Sequence, residues 1–128
     1  MVVLIKRENV HCFEEKEEEF ANLLIEIGMK KSTAKVLVFL ANITEASSRV
    51  MERGLDLRQP EVSIATRYLM EQNWITNRES KEESKGRPIK IYKLVRPIYE
   101  IIANIENKNT IEASKKLAVI QKLREYSI

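Results

Sequence analysis

Apolar positions fall at helical spacing along most of the chain and switch to alternation only once. Phe13, Phe20, Leu23, Leu24 and Ile27 lie near one face of a helix whose other surface is crowded with glutamate, and Gly28 stands where such a helix ends. This predicts a first helix over residues 12–28. A denser apolar run, with Val36, Leu37, Phe39 and Leu40, follows Ser32 or Thr33 as N-cap and predicts a core helix to about Ala41. Ser47 or Ser48 caps a short third helix, SSRVMER, closed by Gly54. The segment LDLRQ then leaves room only for a tight turn before a fourth helix, which carries Pro60 in its first turn and Glu61 at the positive end of its dipole. In that helix Val62, Ala65, Leu69 and Met70 share the buried face, which leaves Arg58, Gln59, Ser63 and Arg67 outside.

Two helices joined by a tight turn, the second with a polar outer face, form a helix-turn-helix candidate. After Trp74 the pattern becomes ITNRES, then KEESKGRP, then IKIYKLV, which predicts a strand, a charged hairpin tip and a second strand. Gly86 eases the turn, and Arg87-Pro88 leads the chain extended into the second strand. Tyr92 and Leu94 face the helices, with Lys90 on the same side nearer the tip. A hairpin directly after such a helix has the position of a wing.

Pro97 opens a further helix with Ile98, Ile101, Ile102 and Ile105 on one face. Continuing that register would put Asn109, Glu112 and Lys116 on the seam, so a break is expected at Asn107–Asn109, with Thr110 capping a last helix whose stripe runs through Ala113, Leu117, Ile120 and Leu123 or Val119. A helix of that length is marginal alone in water and needs a surface to pack on. The fold class expected is mostly α with a small β-hairpin wing. It comprises an N-terminal helix at 12–28, a winged helix-turn-helix core at 30–96, and C-terminal helices at 97–128 that serve dimerisation, all within one unit, 1–128.

Composition narrows the function. Over 128 residues, 44% apolar and 32% charged side chains suit a folded, helix-rich chain rather than a disordered or membrane one. No apolar run reaches the roughly 18 to 20 residues that span a bilayer, and the opening MVVLIKRENV is charged too soon for a secretory signal, so a cytoplasmic protein is expected. The net charge of +3 is unevenly placed: residues 1–20 carry −3 and the remainder +6, much of it between Arg78 and Arg96, where Arg78, Lys81, Lys85, Arg87, Lys90, Lys93 and Arg96 stand against Glu79, Glu82 and Glu83. His11 and Cys12 are the only histidine and cysteine, too few for a metal site. With three glycines and no phosphate-binding loop, neither an enzyme nor a cofactor-binding protein is expected.

The runs LDLRQPEVSIATRYLMEQNWI and KGRPIKIYKL resemble the recognition helix and wing of archaeal and bacterial winged-helix regulators in the broad ArsR, MarR and TrmB-like grouping, over roughly residues 30 to 96. The resemblance implies transcriptional regulation, usually by a two-fold dimer. It does not extend to the cysteine and histidine clusters of metal-sensing members, and the roughly thirty residues after the wing are too few for the ligand domain of TrmB-like sugar sensors. The expected partner is double-stranded DNA, with no defined effector. The helix from about Gln59 to Gln72 would enter the major groove, where Gln59, Arg58, Arg67 and Ser63 can meet base edges or phosphates. Lys81, Lys85, Arg87 and Lys90 would meet phosphates or the minor groove, with Arg49 a further phosphate contact. A homodimer would use Ile98, Ile101, Ile102, Ile105, Leu117, Ile120 and Leu123. The competing reading is a winged-helix adaptor for protein partners, which would show an apolar patch in place of the polar, basic surface.

Overall fold

The computed structural model describes residues 14–81 and 88–127. Within them the chain forms helices α1 (Glu15–Glu26) and α2 (Lys31–Asn42), strand β1 (Ala46–Ser47), helices α3 (Ser48–Leu55) and α4 (Gln59–Glu71), strands β2 (Ile75–Ser80) and β3 (Ile89–Leu94), and helix α5 (Ile98–Tyr126). They divide into two compact units, one extending to Val95 and the other beginning at Arg96.

In the first unit α2 is the centre. Ala34, Val36, Leu37, Val38 and Phe39 are wholly buried, so this helix is apolar all round because it is surrounded. It starts at Lys31, one residue ahead of the expected caps. Lys30 is the N-cap without a side-chain bond, and Thr33, inside the first turn, is buried. Helix α1 packs on α2 through Ala21 and Leu24, while Glu17 folds its carboxylate back to accept from the Glu14 backbone N–H at 2.7 Å. Leu23 and Ile27, expected on the inner face, are exposed; the small Ala21 lets α1 approach α2 on a line rotated from theirs. Phe13 lies outside the described residues.

Helix α3 begins on the predicted cap, with the Ser47 hydroxyl accepting from Val50 N–H at 3.3 Å. It does not stop at Gly54. One further residue brings Leu55 beneath Met51 at i+4, both buried, and the left-handed position falls on Asp56 at φ 56°. Leu57 N–H then bonds Glu52 O at 3.0 Å, which closes the helix and turns the chain within three residues into α4. Helix α4 opens with Glu61 accepting from Arg58 N–H at 2.8 Å. It closes at Asn73, φ 65°, where Trp74 N–H reaches back to Leu69 O at 3.1 Å. Its buried face is Val62, Ala65, Thr66 and Leu69; Met70, expected inside, is exposed, and Thr66 takes that side of the stripe with its hydroxyl donated to Val62 O and Ser63 O.

The sheet is antiparallel in the order β1-β3-β2. Strand β2 occupies the predicted segment and β3 all of its own but Val95, paired from Ile75↔Leu94 to Ser80↔Ile89. The short β1 was not anticipated. It pairs Ala46 with Tyr92 and Ser47 with Ile91, so Tyr92 lies between Ala46 and Asn77 with its side chain buried.

The second unit holds α5, a continuous helix of 29 residues. The break expected at Asn107–Asn109 does not occur. Asn109 Nδ2 donates to Ile105 O and Thr110 Oγ1 to Glu106 O, both at 2.9 Å, so the two side chains that favour helix ends elsewhere are satisfied by the helix's own carbonyls. Thr110 is therefore an interior residue rather than a cap. Ile101 and Ile105 are buried; Ile102, Ile111, Leu117, Val119, Ile120, Leu123 and Tyr126 are exposed.

Candidate nucleic-acid interface

The hairpin and the tight helical turn belong to the same unit and are joined through Trp74. This buried residue ends α4 with its backbone N–H and accepts from Val95 N–H, at the end of β3, with its carbonyl at 2.9 Å. Trp74 is thus a packing residue, and its indole meets the Tyr68 ring edge-on at 6.3 Å between centroids. Pinned there, α4 turns Pro60, Ser63, Ile64, Arg67 and Glu71 away from the core.

The sequence-predicted residues of α4 converge on its start and outer face. Arg58 is the N-cap, Gln59 the first helical residue, and Ser63 and Arg67 follow at i+4 steps from Gln59; all four are exposed. Arg49 is exposed on the first turn of α3. Lys81 follows β2 and Lys90 lies on β3, both exposed, with Lys90 paired across the ladder to Glu79. Lys85 and Arg87 lie outside the described residues. Arg49, Arg58, Arg67, Lys81 and Lys90 make no ion pair among the described residues, so each keeps its charge available.

Arg78 is different. Its guanidinium holds Glu45 Oε2 at 2.8 Å, tying the loop before β1 to β2 across the intervening strand. The hydrogen bond from Arg78, aided by the charges of Arg78 and Lys93, lowers the Glu45 carboxyl below its usual range. Of the basic side chains around the hairpin, this one is committed to structure.

The fold has known counterparts. A possible transcriptional regulator from Methanosarcina mazei Go1 superposes with a TM-score of 0.58 at 19% identity, over 87% of this chain and 86% of that one. A second transcriptional regulator gives 0.54 at 18%, over 79% and 65%, and a MarR family transcription regulator gives 0.51 at 14%, over 85% and 76%. The fold is a winged helix. Its helix-turn-helix is α3–α4 and its wing is β2–β3, closed on the inner side by β1. By sequence, no protein-family model matches the chain and no curated protein does.

Two features of the winged helix are not apparent in the sequence pattern. Strand β1 is only two residues long, too short to show alternation. Ile64, an apolar side chain on the outer face of α4, has no place in a stripe of Val62, Ala65 and Leu69, and that displacement was the available signal. Among the described residues no group of three or more histidine, cysteine, aspartate or glutamate side chains could hold a metal, and no helix is long and apolar enough to cross a membrane.

Proposed function

We propose that the protein is a transcriptional regulator that reads double-stranded DNA as a homodimer. The observation that carries this reading is the exposed, unneutralised set Arg58, Gln59, Ser63 and Arg67 on the start and outer face of α4, beside a wing that presents Lys81 and Lys90. Helix α4 enters the major groove, the groove wide enough for a helix and carrying a distinct pattern for each base pair. Gln59 and Ser63 bond base edges. Arg58 and Arg67 meet guanine or phosphate. Lys81 and Lys90, with Lys85 and Arg87 from the sequence between β2 and β3, neutralise phosphates or line the minor groove, and Arg49 adds a phosphate contact from α3.

One module covers limited DNA, and a two-fold dimer supplies two half-sites about one helical turn apart. The second copy is met through the exposed stripe of α5, with Ile102, Leu117, Ile120 and Leu123; Ile98 is half-buried, and Ile101 and Ile105 are buried in the chain itself. Catalysis, a metal and a cofactor have no part in this reading.

An adaptor for protein partners requires an apolar patch on the same face. Three exposed apolar side chains stand on α4, Ile64, Tyr68 and Met70. Tyr68 meets the Trp74 ring, and the Met70 sulfur accepts from Asn77 Nδ2 at 3.2 Å. Ile64 alone does not make a patch of the size that marks a protein-binding surface.

The test is binding of the full chain to the duplex upstream of its own gene and to a random duplex across a salt series. Lys90→Ala should weaken both about equally and reduce the slope of log affinity against log salt by about 1. Gln59→Ala should cost about 1–3 kcal/mol on the upstream duplex alone. Failure to bind either duplex at low salt would transfer this surface to the adaptor reading.

A further inference from the structure

We infer that Ile64 reads the 5-methyl groups of thymine, and so fixes part of the base sequence that the protein selects. This rests on the DNA-binding reading of α4 and adds to it a residue that the polar pattern passes over.

Ile64 projects opposite the buried Val62 and Leu69, on the outermost line of the helix with Arg67 and Pro60 one turn to either side, and it is 47% exposed. Burial therefore does not account for it. Helix formation does not either, since isoleucine is a poorer helix former than the straight-chain polar residues that an exposed position accepts. Tyr68 and Met70 have neighbours in their own chain, namely the Trp74 ring and the Asn77 amide. What remains is one branched apolar side chain between Ser63 and Arg67, on an outer face whose other members are the helix-opening Pro60 and the polar or charged Ser63, Arg67 and Glu71.

The major-groove edges of the four base pairs display hydrogen-bond donors and acceptors and a single apolar group, the thymine methyl. A helix laid in that groove with Gln59, Ser63 and Arg67 on the base edges carries Ile64 to the same depth, where its one favourable counterpart is that methyl. Removing one methyl contact of this kind corresponds to about a fourfold loss of affinity.

The experiment starts from a random-sequence duplex pool. The full-length protein selects a preferred duplex, each thymine of that duplex is replaced singly by deoxyuridine, which deletes the methyl and keeps the pairing, and every duplex is titrated with wild type, Ile64→Ala and Ile64→Gln. The expected result is one or two thymines per half-site at which wild type loses about fourfold on replacement, with Ile64→Gln binding the thymine and uracil duplexes equally there and Ile64→Ala showing a smaller ratio than wild type. The variants should keep their thermal midpoint, because the site is exposed, and keep the discrimination exerted through Gln59. If no thymine is sensitive, or if the variants retain the wild-type thymine-to-uracil ratio, the assignment of Ile64 is wrong while DNA reading by α4 stands. If the pool yields no preferred duplex and no binding at low salt, the DNA-binding reading falls and this inference with it.

Discussion

Truncating Leu117 and Leu123 together to alanine should abolish the homodimer and leave the fold of each chain intact. In the monomer these side chains are 66% and 61% exposed, so little of their surface contributes to folding. Each Leu→Ala change removes about 2.4 kcal/mol of transfer free energy at full burial, from about 0.8 kcal/mol for each carbon lost. Scaled by the exposed fraction, about 1.5 kcal/mol per site is left for a partner to recover. In a two-fold interface every substitution counts twice, so the double variant weakens association by up to about 6 kcal/mol, or about 10⁴ in Kd. Side-chain ordering on binding makes this an upper figure. Sedimentation equilibrium should show wild type as a dimer at micromolar concentration and the double variant as a monomer throughout the accessible range. Its far-ultraviolet circular dichroism should match wild type, and its thermal midpoint should become independent of concentration. A variant that remains dimeric would refute the assignment of the α5 stripe, and a monomeric wild type at about 100 μM would refute the dimer itself.

Three further outcomes follow from the core and the sheet. Phe39→Ala empties a wholly buried position on the central helix and should cost about 3–5 kcal/mol, lowering the urea midpoint by about 2 M or more with the slope unchanged. Ser47→Ala removes a long, exposed cap bond to Val50 and should cost about 0.5–1 kcal/mol, measured by the same titration. Because the Glu45 carboxyl is lowered chiefly by its bond from Arg78, its contribution is present above the ordinary carboxylate range and fades as pH falls through the lowered value. Arg78→Ala should therefore move the Glu45 midpoint in a carboxyl NMR titration up toward that range, and an unmoved midpoint would mean the ion pair does not persist in solution.

The parts of the fold that declare themselves in the residues are those with local causes. Pro60 and Glu61 announce the start of α4, the segments ITNRES and IKIYKLV give β2 as predicted and β3 to within one residue, Val95 falling outside the strand, and the dense apolar run of α2 announces a helix buried all round. What is less legible depends on partners distant in sequence or on rotation about a helix axis. β1 exists only because β3 offers it a free edge at Tyr92 and Ile91. Leu23, Ile27 and Met70 satisfy an apolar spacing yet face outward, since Ala21 and Thr66 fit the close contacts that larger side chains would fill. The long α5 shows the reverse case: Asn109 and Thr110 read as helix-ending residues, but their side chains bond carbonyls one turn back and the helix continues. The candidate site was legible as a distribution of charge and amide groups, whereas Ile64 emerged only once the direction of α4's buried face was known.

If the start and outer face of α4 together with the wing meet DNA, backbone amide resonances mapped during titration with a short duplex will report it. Perturbations should concentrate at Arg58–Arg67, at Arg49 and along the wing near Lys81 and Lys90, with the core of α2 and the distal half of α5 unmoved. Perturbations centred on α5 or α1, or none at saturating duplex in low salt, would contradict that contact.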